Sequence, residues 1–233
     1  MPLILALETS SETASCALLR DGAVSVRASS GVRTHSQAIL PMVQELLAEA
    51  GVTLADCDAI AFGAGPGSFT GVRTACGVAQ GLAYGAGLPV LPLVTLDAMA
   101  LACRERSGAT DVLAVLDARM GEVYWAQYHG AEVVAGPALC APQDLVPLPS
   151  ASPLTACGNG LSAYPEAFAG RPFAAGAQVD IMPHAREIAR LAVAALAAGA
   201  GVPASAAQPL YLRNKIAYTS AERQVINAAK AAA

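Results

Sequence analysis

Short apolar runs and amphipathic stretches follow one another along the first hundred residues. Residues 3–7 form an apolar run, and residues 14–20 and 23–29 flank an Asp21-Gly22 turn, so the pattern predicts three strands in a meander. Further on it predicts helices over residues 36–50, 70–84 and 96–104, and strands over residues 59–63 and 89–94. Strands that alternate with helices after a meander indicate a mixed α/β sheet.

The pattern then starts again. Val112-Leu113-Ala114-Val115-Leu116-Asp117 matches Leu3-Ile4-Leu5-Ala6-Leu7-Glu8 position for position, with five apolar residues before an acid. An outgoing strand is predicted over residues 122–129, and Gly158-Asn159-Gly160 is a reduced version of the earlier Gly65-Pro66-Gly67 loop. Two such coincidences in the same order predict an internal duplication. The alternative is two unrelated buried strands that each end in an acid.

Three domain segments follow from this repetition. We predict an N-terminal, partner-binding lobe over residues 1–105, a C-terminal lobe over residues 106–218 and an Ala-rich tail over residues 219–233. Within the second lobe, the Pro-rich residues 137–153 predict a loop and residues 183–198 predict an amphipathic helix. The tail is either a fraying, disordered end or a remnant added to the natural sequence.

Composition narrows the class of protein. The 233 residues are 55% hydrophobic and 14% charged, with a mean hydropathy of +0.47, but 53 of them are alanine, which is only weakly apolar. The longest apolar stretches, residues 75–94 and 191–207, are interrupted by Gln, Gly and Pro, so neither offers about 20 uninterrupted residues for a bilayer. We therefore expect a soluble, compact protein with no membrane contact.

Cysteine usage and charge indicate a cytoplasmic protein that does not bind nucleic acid tightly by itself. The six cysteines are widely spaced without a Cys-x-x-Cys pair, as expected for reduced, buried thiols, and the N-terminus has the pattern of a first strand. The formal net charge is −4 and only two of the 14 basic residues are lysines. No basic stripe that could neutralise many phosphates is present in the sequence.

The most distinctive motif is the glycine-rich loop of residues 65–71, which lies between a predicted strand and a predicted helix. We call it the glycine loop. Glycines in that position let backbone N–H groups approach an anion at a helix N-terminus. The spacing is neither that of a P-loop nor that of a dinucleotide fingerprint. We take five residues here as candidate nucleotide- or phosphate-binding residues: Thr9, Ser10, Gly65, Gly67 and Ser68. The alternative is a tight turn with a purely structural role.

The helix after this loop carries Gly77, Gly81 and Gly85 at four-residue spacing. Each interior glycine costs about 0.5–1 kcal/mol relative to alanine, so the pattern indicates a close backbone approach. That approach is made either by the lobe's own sheet or by a helix of a partner. Arg73 in the first turn is unfavourable next to the helix dipole, which suggests that it faces an acid or a phosphate.

Candidate catalytic residues are few. The acids at the ends of the two matching strands, Glu8 and Asp117, could position a metal–phosphate complex, or they could simply cap the turns that follow. The three histidines are isolated, and no metal-ligand spacing or Ser/His/Asp set stands out. The residues thus indicate a protein that could bind a phosphate group but has no recognisable catalytic or metal centre.

With these features in view, the chain resembles the bacterial TsaB (YeaZ) family of tRNA threonylcarbamoyladenosine biosynthesis proteins. The resemblance covers nearly the whole chain, although the family often has Asp where Glu8 stands. Its strongest blocks are Leu5-Ala6-Leu7-Glu8-Thr9-Ser10, His35-Ser36-Gln37 with Leu40-Pro41-Met42-Val43, Gly65-Pro66-Gly67-Ser68-Phe69-Thr70-Gly71-Val72-Arg73, Asp117-Ala118-Arg119-Met120-Gly121-Glu122-Val123-Tyr124-Trp125 and Pro209-Leu210-Tyr211-Leu212-Arg213-Asn214.

The resemblance implies an α/β, actin-like (ASKHA) fold of two duplicated ribonuclease H-like lobes. It also implies a role in forming N6-threonylcarbamoyladenosine at position 37 of tRNAs that read ANN codons. The implied partners are the catalytic paralogue TsaD, the ATPase TsaE and a second copy of this chain when TsaD is absent, with tRNA met only through the complex. The implied cofactor state is none bound stably, with ATP or ADP at the interface of the complex.

The resemblance also suggests which residues meet a partner. Where the catalytic paralogue has its metal-binding His-x-x-x-His, this chain reads Thr95-Leu96-Asp97-Ala98-Met99, so we expect a non-catalytic subunit. The expected interface comprises Ile39, Val43, Leu46, Arg73, Gly77, Gly81 and Tyr84. Two alternatives stay open: an ATP-dependent small-molecule kinase or ATPase of the actin-like superfamily, and an M22-type metallopeptidase.

Overall fold

Two β-sheets with the same strand succession form the framework of the protein. The computed structural model describes residues 2–29 and 35–213, so the predicted tail over residues 219–233 lies outside the described residues. The first sheet has the order β3-β2-β1-β4-β5 and the second has the order β8-β7-β6-β9. In both, an antiparallel meander is followed by a strand parallel to the central one, so the predicted duplication is present in the topology.

The first lobe follows the predicted elements closely. Its sheet consists of β1 (Ile4–Glu8), β2 (Ala14–Arg20), β3 (Ala23–Ser29), β4 (Ala59–Gly65) and β5 (Val90–Val94). One face of this sheet is covered by α1 (His35–Ala50) and α2 (Phe69–Ala86). Alternate residues of β1 point to opposite faces, with Leu5 and Leu7 under α1 and α2 and with Ile4 and Ala6 on the other side.

The second lobe is smaller. Its sheet consists of β6 (Asp111–Asp117), β7 (Val123–His129), β8 (Glu132–Cys140) and β9 (Thr155–Cys157). The chain has α3 (Thr95–Ser107) before this sheet, and after it α4 (Gly160–Ala163), α5 (Pro165–Phe168) and α6 (Ala185–Ala197). The loop after β9 therefore leads into two four-residue helices, where the loop after β4 leads into the 18 residues of α2.

The hydrophobic cores cross the predicted lobe boundary at residue 105. Helix α3 packs Leu96, Met99 and Cys103 into the core of the second sheet, although most of the helix lies before the boundary. Helix α6 lies after the boundary but covers the open face of the first sheet through Ile188 and Ala192. Each lobe thus contributes one helix to the packing of the other, because an apolar helix face packs where a sheet offers uncovered apolar area.

Strand β8 corrects the prediction that residues 137–153 form a loop. Pro137 lies inside β8, which pairs only with β7 at the edge of the sheet. A proline is tolerated there because an edge strand has one side without a ladder partner. The preceding Gly136 has φ 86°, and a Cβ built on it would lie 2.7 Å from the Trp125 carbonyl oxygen, so only glycine fits this irregular part of the pairing.

The start of α2 is pressed against the turn between β1 and β2. The Thr9 hydroxyl donates to the Gly71 carbonyl at 2.7 Å, and a Cβ at Gly71 would overlap the Thr9 carbonyl oxygen. Later in the same helix, a Cβ at Gly77 would have no neighbour within 4 Å. The first glycine is therefore required by backbone packing within the chain, whereas the second is not. None of the helices within residues 2–29 and 35–213 has the length and apolar composition that a membrane span requires.

These two glycines give opposite predictions for stability. We expect Gly71→Ala to lower the free energy of unfolding by about 2 kcal/mol or more, because the new methyl group displaces backbone. Gly77→Ala, the matched control in the same helix, should raise it by about 0.5–1 kcal/mol through helix propensity. Urea titration of both variants measures the difference, and equal effects would contradict the packing described for Gly71.

Candidate functional site

The glycine loop packs onto the β1–β2 turn through its backbone. The Ser68 amide donates to the Ser10 carbonyl at 2.7 Å, and the Gly65 amide donates to the Thr95 hydroxyl at 3.0 Å. A Cβ at Gly67 would lie 2.6 Å from the Cβ of Ser10. The loop glycines are therefore used for close packing, and two of the loop amides already bond to acceptors within the chain.

The helix after the loop has an N-cap made by a side chain. The Ser68 hydroxyl accepts a hydrogen bond from the Gly71 amide at 3.3 Å, which satisfies one of the free donors in the first turn. Of the five candidate phosphate-binding residues, Ser10, Gly67 and Ser68 line a cavity between the lobes, whereas Thr9 and Gly65 are not part of its wall.

The two strand-end acids, one in each lobe, have equivalent roles. Glu8 accepts a hydrogen bond from the Ser10 amide, and Asp117 accepts one from the Arg119 amide at 2.8 Å. Each carboxylate therefore caps the turn two residues on, which is the structural alternative considered from the sequence. Asp117 also accepts a hydrogen bond from the Tyr164 hydroxyl at 2.9 Å. The described part of the chain has no group of three or more His, Cys, Asp or Glu residues that could hold a metal ion.

Glu8 is fully buried, and its second carboxylate oxygen has no hydrogen-bond partner among the described residues. Burial raises the pKa of this carboxyl, because the charged form loses its hydration. The free oxygen faces Gly63, where a Cβ would overlap it. The equivalent acid of the second lobe differs, because the Asp117 carboxylate has a cationic partner, the Arg119 guanidinium, at 3.3 Å.

A cavity of about 340 Å³ lies between the two lobes. Its walls are the β1–β2 turn, the glycine loop, the loop that follows β6 and the C-terminal segment of residues 210–213. Arg119 and Glu12 both line the cavity, and the Arg119 guanidinium contacts the Glu12 carboxylate at 2.8 Å. Arg119 and Met120 both have φ 59°, a left-handed backbone conformation that non-glycine residues rarely adopt.

Residues 210–213, which we call the strap, contact both lobes. The Leu210 amide donates to the Ala64 carbonyl in the first lobe at 2.8 Å. Arg213 donates to the Glu122 carboxylate at 2.5 Å and to the Arg119 carbonyl at 3.2 Å in the second lobe. Sequence reasoning assigned these residues no role beyond the resemblance, because nothing in a local pattern shows that a segment returns to a distant cavity.

The second candidate site is the outer face of α2. Arg73, Gly77, Gly81 and Gly85 are exposed along it, and Tyr84 is 85% exposed. Ala75, Ala79 and Ala83 occupy the opposite face and pack on the sheet. The glycines therefore do not serve contact with the lobe's own sheet, the first of the two alternatives considered from the sequence.

Three predicted interface residues on α1 require correction. Ile39, Val43 and Leu46 are 0%, 3% and 1% exposed, because they form part of the core beneath the helix. Their apolar spacing marks the face that packs on the sheet. Leu40, 43% exposed, and Pro41 are instead exposed on α1.

Arg73 has aromatic neighbours within the chain. Its guanidinium carbon lies 3.6 Å from the centroid of the Phe69 ring, and its Nε donates to the Tyr211 hydroxyl at 2.8 Å. Among the described residues, no carboxylate forms an ion pair with Arg73. The acid or phosphate expected from the sequence is therefore not supplied by this part of the chain.

The side chains of residues 95–99, where the resemblance led us to expect the positions of a metal motif, are used for packing and hydrogen bonds within the chain. Thr95 is buried and bonds to the glycine loop, and Met99 lies in the second core. Between them, Asp97 accepts a hydrogen bond from the Tyr128 hydroxyl at 2.8 Å. Burial raises the pKa of Asp97, and the hydrogen bond opposes this rise.

The fold and the cavity together define the structural class of the protein. Both sheets contain the strand order 3-2-1-4, a cavity lies between equivalent strand ends, and each lobe supplies a helix to the other. The chain has an α/β, actin-like fold made of two ribonuclease H-like lobes. Residues 24–230 match the family model described as "TsaD: tRNA N6-adenosine threonylcarbamoyltransferase".

Relatives in other bacteria specify the family. A protein of Escherichia coli (strain K12) named "tRNA threonylcarbamoyladenosine biosynthesis protein TsaB" is 40% identical over 223 residues, which cover 92% of this chain and 96% of the relative. A protein of the same name from Haemophilus influenzae is 37% identical over 227 residues, covering 92% and 95%. The chain belongs to the TsaB family of tRNA threonylcarbamoyladenosine biosynthesis proteins, within the wider family that the TsaD model describes.

Solved structures agree with this assignment. "YeaZ from Pseudomonas aeruginosa" is 43% identical and superposes with a TM-score of 0.82 over 91% of this chain and 100% of that chain. A second structure has a TM-score of 0.84, the same identity and the same coverage. It is described as an uncharacterized protein with similarity to peptidase YEAZ from Pseudomonas aeruginosa.

The buried Glu8 carboxyl predicts how stability depends on pH. Because its pKa is raised in the folded state, the carboxyl holds its proton more tightly in the folded chain than in the unfolded chain. Stability should therefore fall as the pH rises from the unfolded value through the folded value. Glu8→Gln keeps an acceptor for the Ser10 amide but does not ionise, so its free energy of unfolding relative to the wild type should increase between pH 5 and pH 8. A difference that does not vary with pH would contradict this account.

Proposed function

We propose that this chain is a non-catalytic subunit of the complex that forms N6-threonylcarbamoyladenosine at position 37 of tRNAs reading ANN codons. In this proposal it binds and supports the catalytic paralogue TsaD through the outer face of α2. The observation that carries the proposal is the row of exposed glycines on this face, and the names of the relatives support the pathway.

The energetic argument concerns Gly77, Gly81 and Gly85. Each costs about 0.5–1 kcal/mol of helix stability relative to alanine. A Cβ at any of the three would have no neighbour within 4 Å, so contacts between described residues do not account for this cost. A helix of a partner packed closely along this face would account for it, because small residues let two helix backbones approach.

The surroundings of the glycines support docking. Tyr84 exposes most of its ring at one end of the row, and Leu40 exposes apolar area on the neighbouring α1. The interface we propose therefore keeps Arg73, Gly77, Gly81 and Tyr84 from the sequence prediction and replaces the buried α1 residues by Leu40 and Pro41. Aromatic and apolar side chains around a core of small residues suit a helix-on-helix interface.

Three observations support a subunit without its own catalytic centre. The strand-end acids Glu8 and Asp117 are used as turn caps, and Thr95 and Met99 stand where the paralogue's metal motif would lie. The loop amides of Gly65 and Ser68 already have acceptors, so these two donors are not available to a phosphate. We therefore propose that no cofactor is bound stably by this chain and that ATP or ADP binds at the interface of the complex.

The remaining partners follow from the same proposal. When TsaD is absent, the α2 face is available to a second copy of the chain, which gives a homodimer. TsaE, the ATPase, joins the complex, and tRNA is met through the complex only. We place this activity in the cytoplasm, where tRNA is modified.

Docking can be tested by filling the glycine row. We expect Gly81→Leu to weaken association with TsaD by about tenfold or more, because the added side chain separates two closely packed helices. The matched control is Ala194→Leu, which adds a similar side chain to the exposed side of α6 on the opposite face of the first sheet. Isothermal titration calorimetry and circular dichroism report affinity and folding. Unchanged affinity of a folded Gly81→Leu variant would remove α2 from the interface.

The role in tRNA modification can be tested by reconstitution. We expect modified adenosine to form when TsaD, TsaE, threonylcarbamoyl donor, tRNA and this chain are combined, and to be strongly reduced when the chain is left out. Mass spectrometry of digested tRNA measures the product. The control is the isolated chain, for which the proposal predicts neither stoichiometric metal nor rapid ATP hydrolysis. Either property would instead favour a metallopeptidase or a kinase.

A further inference from the structure

A continuous series of contacts joins the outer face of α2 to the cavity between the lobes. It begins at Arg73, which stacks on Phe69 and donates to the Tyr211 hydroxyl at 2.8 Å. Phe69 and Tyr211 both line the cavity, and their ring centroids are 5.9 Å apart. Arg73 therefore contacts the strap directly while remaining exposed on the face proposed to dock a partner.

The series continues through the strap to the second lobe. Two residues after Tyr211, Arg213 donates to the Glu122 carboxylate and to the Arg119 carbonyl, and its Nη1 lies 3.4 Å from the Met120 sulfur. The Arg213 side chain is only 14% exposed, so this ion pair is less screened by water than the exposed pairs of the molecule. The strap thus fixes the loop of residues 118–121.

That loop depends on its surroundings for its conformation. Arg119 and Met120 are both left-handed, a backbone state that costs energy unless neighbouring groups hold it in place. Within the second lobe the turn is held by the Asp117 carboxylate, which accepts from the Arg119 amide, and by backbone hydrogen bonds to and from Glu122. From outside the second lobe's own turn it is contacted by Arg213 on the strap and by Glu12, which pairs with Arg119 beside the cavity. A change in the position of the strap would therefore remove the contacts of Arg213 with this loop, which lines the cavity.

We propose that the strap couples docking on α2 to closure of the cavity between the lobes. This inference rests on the proposed function, because it needs a partner on α2. A docked partner covers Arg73 and the 47% exposed Tyr211, which immobilises the strap. The immobilised strap holds Arg213 on Glu122 and thereby keeps the loop of residues 118–121 closed over the cavity. By linkage, a cavity held closed favours docking to the same degree.

Hydrogen exchange of the full chain tests the coupling. On addition of TsaD we expect slower exchange in residues 69–86, which reports docking. We also expect exchange in residues 116–122 to slow by about fivefold or more, which reports closure. Tyr211→Phe keeps the ring but removes the hydroxyl that Arg73 binds, so the second effect should be lost while the first persists.

A matched pair of arginine variants tests the strap in the isolated chain. Arg213→Gln should speed exchange in residues 116–122 severalfold, whereas Arg106→Gln, which breaks an exposed ion pair to Asp180 elsewhere in the second lobe, should not. Exchange in β1 and β4, unchanged in both variants, shows that the fold is intact.

The outcomes separate the two proposals. Slower exchange in α2 without any change in residues 116–122 overturns the coupling and leaves the proposed docking in place. Exchange in α2 that does not respond to TsaD overturns docking on α2 and the coupling with it. Unchanged exchange in residues 116–122 of Arg213→Gln, or slowing by TsaD that persists in Tyr211→Phe, also overturns the coupling.

Discussion

The backbone contact between Gly71 and the β1–β2 turn determines which surface α2 presents. Because a glycine at that position lets the helix start directly against Thr9, the rotation of the helix is set at its first turn. Ala75, Ala79 and Ala83 then point to the sheet, and Gly77, Gly81 and Gly85 point outward. The same contact positions Phe69 and Arg73 beside the strap. The outer face and the cavity wall therefore both depend on this one approach of two backbones.

Duplication accounts for the rest of the architecture. Two units of the same topology place the turns that follow β1 and β6 at one cavity, and each unit uses the acid at its strand end to cap that turn. In the second unit the four-residue helices α4 and α5 follow the parallel strand, and together with α3 they cover its sheet. In the first unit the 18-residue α2 follows the parallel strand and presents the row of exposed glycines.

Local pattern was a good guide wherever one face of an element is buried. The meander, the duplicated strands and the helix over α1 were predicted, since alternation and helical spacing record which side faces the core. The same signal led to the wrong prediction of an interface on α1. The apolar spacing of Ile39, Val43 and Leu46 is expected for a helix face in a partner interface and equally for one in the core, and these residues lie in the core. Strand β8 was not predicted because Pro137 suggested a loop. A proline is tolerated in an edge strand, but no local pattern shows that a strand will lie at the edge of a sheet.

The sequence alone thus determined the elements, the duplication, the glycine loop and the family resemblance, all of which depend on residues close together in the chain. Only the tertiary structure decided that α3 and α6 exchange lobes, that the glycines of α2 face outward, and that residues 210–213 return to the cavity. Each of these depends on contacts between residues far apart in sequence. Such contacts are selected by which apolar faces and hydrogen-bond partners remain uncovered once the sheets have formed.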